Sequence, residues 1–137
     1  MKRNIMYVLL AFTFVACGGN SNAKNDKKEN TLGTDPSMVN VYYFHGKQRC
    51  KTCIAVGEVS GKTTKDNYTG KNVKFIEVNT SDKQFEKLVE KYQVTWNALI
   101  IAKGDNSIDL TEQAFANAII NPPALEEIIK AEIDKRL

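Results

Sequence analysis

Residues 39–53, VNVYYFHGKQRCKTC, constrain the fold of this chain more than any other stretch. Val39 to Phe44 is a run of β-branched and aromatic residues that predicts a buried strand. Cys50 follows after a short loop, and Cys53 stands three residues further on. No carboxylate lies between Asn40 and Gly57, so His45, Lys47, Arg49 and Lys51 crowd the two thiols with no acid beside them in sequence. A pair of this kind could exchange electrons as dithiol and disulfide, hold a soft metal, or brace the fold. Bracing is the weakest of the three, because the loop the two cysteines enclose is tiny and disulfide stabilisation grows with loop length.

The first 37 residues stand apart from the rest. MKRNIMYVLLAFTFVAC opens on Lys2 and Arg3, is apolar from Ile5 to Ala16 and ends at a small residue before cysteine. That is the anatomy of an export signal, and it is well short of the roughly 20 residues a membrane-spanning helix needs. The ending Phe14-Val15-Ala16-Cys17 resembles the lipobox of bacterial lipoproteins, with phenylalanine where that family usually has leucine. The resemblance implies a signal peptide over residues 1–16 and a lipid on Cys17, and hence a protein of the cell envelope. Gly18 is not the acid that some bacteria use for retention, which points to the periplasmic face of the outer membrane. Residues 17–37, almost without apolar side chains beyond Ala23 and Leu32, predict a flexible tether.

Charge divides the same way. Of the net +3, Lys2 and Arg3 carry +2, the tether is balanced, and residues 38–137 hold 14 basic against 13 acidic residues. A nearly neutral domain without a basic stripe gives no footing for nucleic acid. With 42% hydrophobic residues the chain has the material for a single core. Cys50 and Cys53 are the only cysteines left once Cys17 is set aside.

Local patterns order the domain over residues 38–137. A helix is expected from Cys50 to Asn67, short or frayed because Gly57, Gly61 and Thr63-Thr64 weaken its far half. Residues 72–79, NVKFIEVN, predict a second strand. Ser81 to Gln84 reads as a capping box ahead of a helix with Phe85, Leu88, Val89 and Tyr92 on one face. Residues 98–102, ALIIA, form a buried third strand, turning at Gly104 into a fourth that contains Ile108 and Leu110. An extra helix over 111–120 would face Phe115, Ala118 and Ile119 inward. The last helix would be capped by Asn121, opened by Pro122, and striped with Leu125, Ile128, Ile129 and Ile133.

Strand, Cys-x-x-Cys helix, strand, helix, strand, strand, helix, with one extra helix before the last, is an α/β order that resembles the thioredoxin superfamily over about 100 residues. The resemblance implies that Cys50 attacks from the entrance of the helix, that Cys53 resolves the mixed disulfide, and that the protein acts as a thiol-disulfide oxidoreductase. Its partners would be exported cysteine-containing proteins or a redox partner; a monomer with no cofactor and no resident metal is expected.

Helix dipole and basic neighbours should lower the Cys50 thiol below its ordinary value of about 8.5. His45 reads either as a donor to a thiolate or as a satisfied polar residue at a strand end. Two departures from the family stand out. Tyr43 or Phe44 occupies the place of an acid that assists proton transfer, and the loop Tyr92-Gln93-Val94-Thr95-Trp96-Asn97-Ala98 lacks the family's cis-proline. The Trp96-Asn97 bond is therefore expected to be trans. Trp96, the only tryptophan, reads either as a core or edge aromatic or, with Asn97, as part of a substrate surface over the cysteines. A non-catalytic adaptor, or a Cu or Zn carrier built on His45, Cys50 and Cys53, is the alternative use of the same surface.

Overall fold

The computed structural model describes residues 35–137; the expected export signal, Cys17 and most of the expected tether lie outside the described residues. A four-stranded mixed sheet in the order β2-β1-β3-β4 carries helices on both faces. Its strands are β1 (Val39–His45), β2 (Val73–Asn79), β3 (Ala98–Lys103) and β4 (Asn106–Asp109). β1 runs parallel to β2 and antiparallel to β3, and β3 is antiparallel to β4. The helices are α1 (Lys51–Tyr68), α2 (Glu86–Tyr92), α3 (Thr111–Asn117) and α4 (Pro122–Asp134), so the elements come in the expected order.

Every residue of β1 is buried, the polar Asn40 and His45 included, and the strand is otherwise β-branched and aromatic. Successive side chains of a strand leave on opposite faces. Val39, Val41 and Tyr43 accordingly join Leu99 and Ile101 under α1, α3 and α4, whereas Tyr42 and Phe44 join Ile76, Val78, Ala98 and Ile100 under Phe85 and Leu88. Leu125, Ile129 and Ile133 of α4 are wholly buried, each contributing about 1.5–3 kcal/mol. Asn121 caps that helix by accepting from the Ala124 amide, as expected.

Three local expectations are corrected. α1 is neither short nor frayed; it runs 18 residues without a break. Its weak residues are used in place: the Thr63 and Thr64 hydroxyls donate to the Val59 and Ser60 carbonyls, and Tyr68 at its end donates to Asp134 of α4 at 2.8 Å. The cap before α2 is Asp82, not Ser81: its carboxylate accepts from the Gln84 amide, and a 3-10 turn over Lys83–Phe85 precedes the α-helix. Ile119 does not face inward. The regular part of α3 stops at Asn117, and in the turn toward Asn121 Ile119 and Ile120 are left exposed.

Gly57 shows why packing outweighs propensity in α1. A Cβ there would lie 2.7 Å from an Arg49 guanidinium nitrogen and 2.8 Å from the Tyr43 ring. Gly57→Ala should therefore destabilise the domain by about 1–3 kcal/mol through overpacking, although alanine is the better helix former. Urea unfolding would read this as a lower midpoint at an unchanged slope.

Candidate functional site

The C-terminal end of β1 delivers the chain to the cysteines. Cys50 is the N-cap of α1, exposed, and its sulfur accepts from the Cys53 amide at 3.1 Å. Cys53 lies one turn inside the helix at 4% exposure, and the two form a disulfide with Cα atoms 5.0 Å apart. One sulfur thus meets solvent at a helix N-terminus, where amide hydrogens favour negative charge, while the other is shielded behind it.

Tyr43 occupies the position beneath the pair. Wholly buried, it donates its hydroxyl to the Cys53 carbonyl oxygen at 2.5 Å. Burial holds its phenol above the ordinary value, against the pull of Arg49 nearby, so the oxygen remains a donor.

Arg49 does not stand beside the thiols as an unopposed cation. Its guanidinium folds back under α1 at Gly57, stacks over the Tyr43 ring with 5.4 Å to the centroid, and donates to Glu77 at 2.6 Å. The same Glu77 oxygen lies 3.2 Å from His45 Nε2, and His45 Nδ1 lies 2.8 Å from the Gly46 carbonyl oxygen. His45 is thus tied to groups of the sheet and loop. Both of its neighbours accept, so the ring forms both hydrogen bonds only when both nitrogens carry hydrogen. The expectation of a basic cluster with no acid near it is therefore corrected: the acid comes from another strand.

Glu77 is the residue that a reading along the chain misses. β1 and β2 are parallel and in register, Tyr43 opposite Glu77 and His45 opposite Asn79. Alternation places Val73, Phe75 and Glu77 on the face under α1, together with Tyr43 and His45. That alternation was a usable signal, but only a known pairing of the two strands turns it into a contact.

Lys47 and Lys51 are exposed on either side of Cys50. Trp96 and Asn97 lie at the same end of the sheet, since Phe44 pairs with Ala98. Trp96 is 77% exposed and so is not a core aromatic. Asn97 is half-buried, and its side-chain oxygen has no hydrogen-bond partner among the described residues. The Trp96-Asn97 bond is trans, as the missing proline predicts. Among the described residues no three His, Cys, Asp or Glu side chains are grouped to hold a metal ion, and no helix is long and apolar enough to cross a membrane.

No protein-family model matches the chain, and no curated protein matches it. Among solved structures, one described as "Structure of a malarial protein" is 22% identical, with a TM-score of 0.40, over 58% of this chain and 93% of that one.

Removing the Tyr43 hydroxyl tests the seat of the helix. Tyr43→Phe should cost about 0.5–1.5 kcal/mol at neutral pH. A phenol whose folded value is raised contributes fully below its unfolded value and less as the pH climbs. The gap between variant and wild type should therefore narrow above pH about 10, where the unfolded phenol ionises first; denaturant titrations at pH 7 and above 10 would measure it.

Proposed function

We propose that this protein is a thioredoxin-like thiol-disulfide oxidoreductase, tethered to the cell envelope by lipid on Cys17 and acting on cysteines of exported proteins. The observation that carries the reading is the unequal presentation of the two sulfurs, Cys50 exposed at the helix entrance and Cys53 buried one turn behind it. The α/β order and the mixed sheet are compatible with it.

In the reducing direction the Cys50 thiolate attacks one sulfur of a partner's disulfide. The partner's S–S bond breaks, its other sulfur leaves as a thiolate that takes a proton from water, and a mixed disulfide joins the two proteins. Cys53 then gives its proton to water and attacks the Cys50 sulfur. The partner's second thiolate is released and the Cys50–Cys53 bond forms, so two electrons have passed to the partner. Oxidation of a partner dithiol is the same sequence run backwards, and a second dithiol or disulfide of the envelope resets the pair. Exposed Trp96 and half-buried Asn97, at the same end of the sheet, support a surface for the partner's chain around the exchanging sulfurs.

Cys53→Ala should leave attack intact and abolish resolution. Mixed disulfides through Cys50 should then accumulate in envelope extracts, disappear with dithiothreitol, and be absent from the Cys50→Ser/Cys53→Ala variant. A Cys53→Ala protein that captures no Cys50-linked species overturns the redox reading. Cys17→Ser should separately move the protein from the membrane fraction to the soluble one; retention in membranes overturns the anchor.

A further inference from the structure

The acid that joins the cysteine loop to β2 has no place in the exchange steps above, and its position gives it one. Glu77 uses a single oxygen for Arg49 at 2.6 Å and for His45 at 3.2 Å. Arg49 directly precedes Cys50, and His45 begins the loop that leads to it. The guanidinium passes under α1 at Gly57, seven residues beyond Cys50, or about 10 Å along the helix axis. Its Nε is buried and has no hydrogen-bond partner among the described residues; the Glu77 contact and the Tyr43 ring hold the head group in this position. The carboxylate therefore sits where it offsets the charge of Arg49, and it is itself about half exposed and replaceable without opening the core.

We infer that Glu77 is the tuning residue of the redox centre: from the neighbouring strand it holds Arg49 and His45 and damps the positive field at Cys50, which sets how much of that sulfur is thiolate. The inference deepens the redox reading and rests on Cys50 being the attacking sulfur. The groups that face this carboxylate are Arg49 and His45 from the loop and strand end and Tyr43 from β1. With Glu77 neutral, Arg49 acts unopposed. A unit charge at about 10 Å, in surroundings between protein surface and water, changes a thiol ionisation about two- to fourfold at low salt.

The test is a thiolate titration by absorbance on the reduced full domain, paired with equilibration against glutathione. Glu77→Gln should raise the Cys50 thiolate fraction about two- to fourfold at a pH below the midpoint, with the gain shrinking at high salt, and the pair should become easier to reduce because its reduced form is favoured. Glu77→Asp, which keeps the charge, should stay near wild type, and Arg49→Met should move the titration the other way. A purely structural Glu77 would lower the unfolding midpoint without moving the thiolate curve. That result, or a Glu77→Gln curve displaced toward higher pH, overturns the inference. Because the titration needs no protein partner, its outcome is separate from that of the trapping experiment: a null trap with the expected titration removes the exchange activity and leaves the tuning in place.

Discussion

Seating the first turns of α1 on the end of β1 is the constraint from which the site follows. Tyr43 reaches up to the Cys53 carbonyl, Arg49 folds beneath Gly57, and together they fix where the helix begins relative to the sheet. On that seat Cys50 is the cap and Cys53 the residue turned inward, and Gly57 lies so close to the Tyr43 ring that an added Cβ would come within 2.8 Å of it. The same contact explains the composition of this segment. An arginine directly before Cys50, a glycine seven residues past Cys50 and an aromatic residue two before the strand's last position are one packed unit.

Much of this was legible in the sequence wherever the signal was local. The β-branched and aromatic run of β1, the tight turn at Gly104, which adopts a positive φ of 57°, and the Asn121-Pro122 start of α4 are each fixed by a few adjacent residues. The length of α1 was not legible, because its glycines read as weakness until the atoms pressed against them are known: Arg49 and Tyr43 at Gly57, Phe75 at Gly61. Ile119 was misjudged for a similar reason. Helical spacing assigns it an inward face, but the helix has already ended at Asn117.

At the site, the pair and its place at the entrance of a helix were legible from the spacing and from the resemblance. Its electrostatics were not. The 16-residue stretch without a carboxylate from Val41 to Val56 made the cluster look purely basic, whereas the folded chain brings Glu77 in from 28 residues past Arg49. Charge at a strand end is a property of the sheet's register, and register is the quantity that reading along a chain supplies least well.

The cysteine bridge closes within one helical turn, with Cα atoms 5.0 Å apart. Opening such a small ring releases less chain entropy than opening a long-range bridge would, and it frees no distant segment. In the exchange proposed above, breaking and remaking this bond therefore releases no part of the scaffold. A partner that distinguishes the two forms of the proposed cycle would have to read the surroundings of one sulfur, and not a change of shape.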